Sequence, residues 1–166
     1  MIRLLALLMF ALVSTTAAQV EIGANAPHFT LSDVNGTEFS TETARTEPLV
    51  VIFSNKDLGD QSIAWRDSLL ARSADTKIVT VLDLDDVPRM LRGVARKRIA
   101  DKGSVAVLDW DGKVSKAWRG SDRSQIVVMV VGPENNVTRS VTGNLSPERL
   151  DGIDGQVRGM RGASNE

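Results

Sequence analysis

Cysteine is absent from all 166 residues. This excludes disulfide bonds, thiolate nucleophiles, cysteine-ligated zinc and iron–sulfur clusters. The sequence also lacks a Gly-x-x-x-x-Gly-Lys phosphate loop, a Gly-x-Gly-x-x-Gly dinucleotide pattern and a Gly-x-Ser-x-Gly nucleophile elbow. Three frequent sources of chemistry, namely thiols, bound nucleotides and an activated serine, therefore have no support in this chain.

Charge of one sign is also lacking, since 20 basic residues stand against 21 acidic ones for a net charge of -1. This balance excludes a strongly basic nucleic-acid-binding protein and an acidic disordered chain. Hydrophobic residues make up 42% of the sequence. The length fits one domain, and a domain of this size buries roughly two-thirds of its unfolded surface without covalent cross-links.

The first eighteen residues differ from the rest of the chain. Arg3 precedes an unbroken apolar run, Leu4–Val13, and small residues follow up to Ala18. This order predicts a signal peptide over residues 1–18 with cleavage after Ala18, and hence a periplasmic or secreted domain over residues 19–166. Ten apolar residues extend only about 15 Å as a helix, so we expect no transmembrane anchor after processing. An uncleaved helical anchor and a misassigned start are the alternatives.

Continuous β-branched apolar runs predict buried strands, and segments rich in helix formers separate them. Asn35-Gly36 predicts the turn of an N-terminal β-hairpin. Lys113–Trp118 is open between strand and helix. The predicted strands are 49–53, 77–82, 105–108, 126–131 and 137–142, and the predicted helices are 61–74 with Asp60 as N-cap, one opened by Asp86 and Pro88, and one after Ser146.

This order of elements predicts an α/β fold with a central mixed sheet flanked by helices and an N-terminal β-hairpin. Two buried strands joined by a helix imply a right-handed parallel crossover. The last two strands form an antiparallel pair, so the sheet is mixed.

Several segments resemble the redoxin branch of the thioredoxin-like fold, which includes AhpC/TSA-like and TlpA-like proteins. They are the pattern Gly23-x-x-Ala26-Pro27-x-Phe29-x-Leu31-x-Asp33-x-x-Gly36, the strand Leu49–Phe53, the turn Gly132–Asn135 and the junction Val141–Glu148. The order of Asp83–Pro88, Asp109–Gly112 and Ile126–Val131 is similar to that in the YtfJ-type group, which are small periplasmic proteins of unknown function. The resemblance covers nearly all of residues 22–160.

The chain departs from this family where its chemistry lies. Redoxins carry Cys-x-x-Cys or one peroxidatic cysteine just after the first core strand, and Leu58 and Gln61 stand at those positions here. The family's cis-proline should fall within Ser124–Ile126, where there is no proline. The resemblance therefore implies a fold kept without redox catalysis, with no cofactor. Thiol exchange and peroxide reduction both need a thiolate.

A non-catalytic binding protein with a protein or peptide partner in the cell envelope is the first hypothesis. Its candidate binding residues are those of the two degenerate loops: Asn55, Lys56, Asp57, Leu58, Gly59, Asp60, Gln61, Ser124, Gln125 and Ile126. The second hypothesis is an antioxidant or oxidoreductase-class protein that works with a bound cofactor or a cysteine-bearing partner.

A basic helix supports a third hypothesis, docking to an anionic partner in the envelope. Its candidate residues are Arg89, Arg92, Arg96, Lys97 and Arg98, and a solvated helix face is the alternative.

Strand-end aspartates leave a further alternative open. Asp83, Asp85, Asp86, Asp109 and Asp111 supply the oxygen ligands that hard cations prefer, although such residues more often cap helices and form turns. We therefore assign no metal site. His28, the sole histidine, and Trp110, which lies in a turn, are single candidates for a ligand or base and for an exposed anchor.

Overall fold

The computed structural model describes residues 18–42 and 45–163. Most of the predicted signal peptide, residues 1–17, lies outside these ranges. Within them, no helix combines the length and the apolar character that a membrane span needs. The elements are β1 (Thr30–Ser32), β2 (Glu38–Ser40), β3 (Leu49–Asn55), α1 (Gly59–Arg72), β4 (Lys77–Asp83), a 3-10 turn (Arg89–Leu91), α2 (Arg92–Asp101), β5 (Ala106–Asp109), α3 (Lys113–Arg119), β6 (Val127–Val131), β7 (Val137–Thr142) and α4 (Pro147–Ala163).

A five-stranded mixed sheet forms the centre, in the order β5-β4-β3-β6-β7. Strands β3, β4 and β5 are parallel, whereas β6 is antiparallel to β3 and β7 is antiparallel to β6. The apolar run of β3 is buried along its length because helices cover both faces of the sheet. The predicted α/β fold with its mixed sheet is confirmed.

The predicted N-terminal hairpin is also confirmed, as the separate two-stranded sheet β1-β2. Its turn is held by Asp33, whose Oδ1 accepts hydrogen bonds from the backbone N–H groups of Asn35 and Thr37 at 2.8 and 2.9 Å. Gly36 has a φ of +86°, which a side chain would make unfavourable. A single bridge between Asp33 and Val107 ties the hairpin to the outer edge of β5.

Alternation along β3 sends side chains to two cores. Val51 and Phe53 pack with Phe29 and with Trp118 of α3. On the other face, Val50 and Ile52 pack against α1 and α4. A smaller cluster lies on that second face, over β4 and β5, beneath α2.

Two local predictions change in the structure. The prediction of Asp60 as N-cap is wrong, because α1 begins at Gly59 and Leu58 occupies the cap position without a side-chain capping bond. Asp60 instead lies in the first turn, where its charge still favours the helix dipole. The undecided segment after Gly112 is the helix α3, and its Ser115 N–H donates to Asp109 Oδ2 at 2.7 Å.

Candidate functional site

The two predicted loops lie at the end of the sheet where the parallel strands β3, β4 and β5 finish. Three polar residues stand in register across these strand ends, since Asn55 pairs with Asp83 and Asp83 pairs with Asp109. In open α/β sheets, ligands bind outside the carboxyl ends of the strands. The fold therefore places the candidate loops at the edge where a site is expected.

Asn55 organises the first loop. Its side-chain Oδ1 accepts from the backbone N–H groups of Asp57 and Leu58 at 3.0 and 3.1 Å. This Asx-type arrangement folds the chain tightly from β3 into α1. Leu58 is half-buried and packs against the core between the sheet and α1, and Gln61 lies half-buried in the first turn. Both residues therefore stand at the junction of strand and helix, as their assignment to the cysteine positions requires.

The remaining residues of the first loop differ in their exposure to solvent. Gly59 begins α1 and is half-buried. The three charged residues face solvent: Lys56, Asp57 and Asp60.

The second loop is tied to the first by one hydrogen bond. Asn55 Nδ2 donates to the carbonyl oxygen of Arg123 at 2.9 Å. Ser124 and Gln125 are exposed, whereas Ile126 is fully buried in the core. Ser124 donates from both its backbone N–H and its hydroxyl to Asp122 Oδ1, and these bonds lower the pKa of Asp122. The structure thus brings the two loops together. In the second loop, Ser124 and Gln125 are the exposed residues.

Behind the loops lies a buried ion-pair network that the sequence analysis did not find. Asp83 accepts from Arg119 Nη2 at 2.8 Å and from Arg123 Nη2 at 2.9 Å. The Asp83 and Arg119 side chains are 3% and 0% exposed, so both charges are desolvated and each requires its partner. Arg123 also binds Asp85 and approaches Asp86 at 4.0 Å. The predicted aspartate cluster is therefore neutralised in part by two arginines from distant segments.

Lys56 links the first loop to this network through Asp86, with 2.5 Å between Lys56 Nζ and Asp86 Oδ2. The hydrogen bond between them raises the pKa of Lys56 and lowers the pKa of Asp86. Within residues 18–42 and 45–163, no group of three histidine, aspartate or glutamate side chains is arranged to hold a metal ion. The geometry of the aspartates fits ion pairing with arginine and lysine.

Asp109 is the second buried carboxylate of the strand ends and is 2% exposed. Burial raises its pKa, and the hydrogen bond from the Ser115 N–H opposes this shift only in part. It accepts one of the backbone N–H groups that have no partner within the first turn of α3, whose N-cap residue is Gly112.

The predicted basic patch divides into paired and unpaired residues. Arg92 lies over the ring of Trp110 at 5.3 Å, donates to the Trp110 carbonyl oxygen at 2.9 Å and pairs with Asp111. Lys97 pairs with Asp101 at 3.0 Å. No ion pair with a described carboxylate forms at the three remaining arginines: Arg89, Arg96 and Arg98. Trp110, predicted as a candidate exposed anchor, is half-buried beneath Arg92.

A cleft of about 690 Å³ separates α2 from α1 and from the sheet beneath, and we call it the α1–α2 cleft. Charged residues at its rim are Lys56 and Asp57 of the first loop, Arg98 of α2 and Lys102, which follows α2. Its apolar wall consists of Ile63, Leu82, Val87, Leu91, Val94 and Ile99. The cleft thus joins two candidate regions that the sequence analysis treated separately, the first degenerate loop and the basic helix.

The cleft lies beneath a helix that packs loosely, since Ile99 alone of α2 packs against the apolar cluster over β4 and β5. None of the residues of α2 is buried, Val94 is 59% exposed, and Leu91 of the preceding 3-10 turn is 49% exposed. A surface helix usually buries an apolar stripe against its domain. In α2 this stripe instead faces the α1–α2 cleft.

Comparison with known proteins identifies structural neighbours only. No protein-family model matches the sequence, and no curated protein matches it. The thioredoxin domain of a thiol-disulfide oxidoreductase from Bacteroides vulgatus superposes with a TM-score of 0.60 at 17% identity, over 84% of this chain and 99% of that one. The pneumococcal exposed lipoprotein thioredoxin of Streptococcus pneumoniae gives 0.61 at 16% identity, over 80% and 98%.

AhpC of Mycobacterium bovis has a TM-score of 0.56 at 18% identity, and the match covers 83% of this chain and 98% of that one. These neighbours superpose on the fold described above, while the present sequence contains no cysteine. At such identities the likeness establishes the fold. The chain is therefore a thioredoxin-fold protein without cysteine.

Proposed function

We propose that this chain is an exported, non-catalytic binding protein that holds an apolar ligand or partner segment in the α1–α2 cleft. The observation that carries the proposal is the position of α2, which buries none of its residues and leaves a cleft of about 690 Å³ beside the first degenerate loop. Ligand sites are commonly concave, mostly apolar and about 300–1,000 Å³ in volume.

The chemistry of the loop supports binding over catalysis. Neither Leu58 nor Gln61 offers a nucleophile for thiol–disulfide exchange, and the chain has no other thiol. Asn55 holds both loops through three side-chain hydrogen bonds, and Lys56 and Asp57 of the loop it folds line the cleft. Two of the structural neighbours are a thioredoxin and a domain of a thiol-disulfide oxidoreductase. This chain has their fold but contains no cysteine.

Binding of Nile red, a neutral apolar dye, tests the cleft directly. We expect the dye to become fluorescent with the wild-type chain and to lose most of this signal in Ala95→Trp, because residue 95 lines the cleft and the indole would fill it. Ala100→Trp is the matched control, since Ala100 lies on the same helix, is exposed and does not line the cleft. Equal loss in both variants, or no binding by a folded wild-type chain, would contradict the proposal.

Reduction of insulin in the presence of dithiothreitol tests the absence of catalysis. We expect no rate above buffer. A rate that is lost in Asp57→Asn or Gln61→Ala would instead establish thiol-independent redox activity at the first loop.

Export to the cell envelope belongs to the same proposal and rests on the N-terminal pattern of Arg3, an apolar run and small residues. Amino-terminal sequencing of the chain from an osmotic-shock fraction should begin at Gln19. An amino terminus at Met1, or recovery only with the cytoplasm, would contradict export.

A second candidate function is docking of the outer face of α2 to an anionic envelope surface. The specific observation is that Arg89 and Arg96 form no ion pair with a described carboxylate, and that Met90 beside them is 88% exposed. Salt-sensitive binding to phosphatidylglycerol vesicles, lost in the double variant Arg89→Glu and Arg96→Glu, would support this function. Binding that survives both changes would exclude it.

A further inference from the structure

We propose that the ligand of the α1–α2 cleft is a long-chain carboxylate, with its acyl chain along the apolar wall and its carboxylate at Arg98. This inference rests on the proposed function, because it names the ligand class of the same cleft. Three observations carry it: the composition of the wall, the state of the charges at the rim and the backbone pairing of the floor.

The wall supplies apolar contact from three sides. Leu82 and Ala106 come from the sheet, Ile63 from α1, Ile99 from α2, and Leu91 from the 3-10 turn before α2. Ser62, which also lines the cleft, donates its hydroxyl to the carbonyl oxygen of Gly59 at 2.7 Å, so it requires no partner from a ligand. An acyl chain gains stability by covering such a surface, at roughly 25 cal/mol for each Å² removed from water.

Among the described residues, the rim of the cleft carries one cation without an ion-pair partner. Lys56 pairs with Asp86 at 2.5 Å, and Lys102 approaches Asp60 at 3.7 Å. Asp57, the remaining carboxylate at the rim, lies beside Lys56 and contributes to its raised pKa. Arg98 forms no ion pair with any carboxylate of the described residues, although its side chain lines the cleft. A guanidinium in this position matches a carboxylate head group in charge and in its two parallel hydrogen bonds.

The part of the floor that β4 forms offers nothing to the backbone of a peptide. Strand β4 pairs on both sides, with β3 and β5, so its N–H and C=O groups are already used. An extended peptide in an apolar cleft would leave its own backbone groups without partners, which carries a free-energy cost. An acyl chain has no such groups, and its one polar end lies where Arg98 is available.

Displacement of fluorescent cis-parinaric acid from the delipidated chain tests the ligand class. We expect palmitate to displace the probe and hexadecanol, which has the same chain length without the charge, to displace it about tenfold less well or worse. Arg98→Gln should weaken parinarate and palmitate by a similar factor and leave hexadecanol unchanged. Arg139→Gln is the matched control, because Arg139 is exposed, forms no ion pair with a described carboxylate and does not line the cleft.

The outcomes separate this inference from the proposed function. Equal affinity for palmitate and hexadecanol, or no effect of Arg98→Gln, overturns the carboxylate while the Nile red site stands. Displacement of Nile red by the peptide acetyl-Leu-Val-Leu-Val-amide, with no binding of palmitate, overturns the acyl ligand and keeps the cleft as a binding site. No binding of any probe by the folded chain overturns both. Ala95→Leu, a smaller filling than Ala95→Trp, provides the loss-of-binding test if the larger variant does not fold.

Discussion

At the scale of single residues, two buried aspartates lie at the ends of the parallel strands and differ in their partners. Asp83 is ion-paired with Arg119 and Arg123, whereas Asp109 forms no ion pair with a described residue and accepts the Ser115 N–H at the start of α3. A buried charge is tolerated only with a partner, so the two carboxylates should respond to substitution in opposite ways.

The Asp83–Arg119 pair should be strongly coupled. Arg119→Met leaves a buried carboxylate with only Arg123 beside it, and we expect a loss of about 3 kcal/mol in the free energy of unfolding. Adding Asp83→Leu removes the uncompensated charge, so the double variant should be more stable than Arg119→Met alone. Urea denaturation of the single and double variants measures the coupling. Strictly additive losses would show that the pair contributes no interaction of its own.

Asp109 should make stability depend on pH. Because burial raises its pKa above the ordinary value of 3.8, the folded state favours the protonated carboxyl. Its stabilising contribution is therefore complete below that ordinary value and is lost as the pH rises through the folded-state pKa. Asp109→Asn keeps an oxygen for the Ser115 N–H without the charge, so the variant should gain stability relative to wild type as the pH increases.

Thermal unfolding of both chains from about pH 4 to about pH 7 measures this difference. Asp122→Asn is the control, because the pKa of the exposed Asp122 is lowered and its effect has the opposite sign. A constant difference between Asp109→Asn and wild type across this range would contradict the assignment.

At the scale of elements, the contrast is between α3 and α2. The tight path from β5 into α3 depends on Gly112, which has a φ of +63°, and a Cβ there would lie 2.9 Å from the Asp85 side chain. Gly93 of α2 has an ordinary φ, and a Cβ added there meets nothing within 4 Å. The start of α3 therefore has no room for a side chain at Gly112, whereas α2 has room for one at Gly93.

The same substitution should thus change stability in opposite directions at these two glycines. Gly112→Ala should lower the free energy of unfolding by about 1–2 kcal/mol, because it forces a side chain into the left-handed region against Asp85. Gly93→Ala should raise it by up to about 1 kcal/mol through helix propensity. Urea denaturation of both variants provides the measurement, and a loss in Gly93→Ala would show that α2 packs more closely than described.

At the scale of the whole molecule, the architecture could be predicted from the sequence, and so could the position of the candidate loops at the strand ends. The continuous apolar runs of β3, β4 and β6 and the Asn35-Gly36 turn are local patterns with strong physical meaning, and the mixed sheet followed from their order. The network of Asp83 with Arg119 and Arg123 was not predicted, because it joins residues 36 and 40 positions apart in the chain. The α1–α2 cleft was missed because the apolar residues of α2 have the spacing of a packed helix, and a sequence pattern cannot show the distance between a helix and a sheet.

The loose packing of α2 has a consequence for motion on the scale of seconds to hours. Backbone amides exchange with solvent when their helix opens locally, and a helix with few buried contacts opens without global unfolding. In deuterium-exchange mass spectrometry, peptides from residues 92–101 should exchange well before those of α1 and α4, which bury Trp65, Leu69 and Ile153. Saturating palmitate should slow exchange in α2 alone, so that the kinetic protection of one helix reports occupancy of the cleft without any label on the ligand.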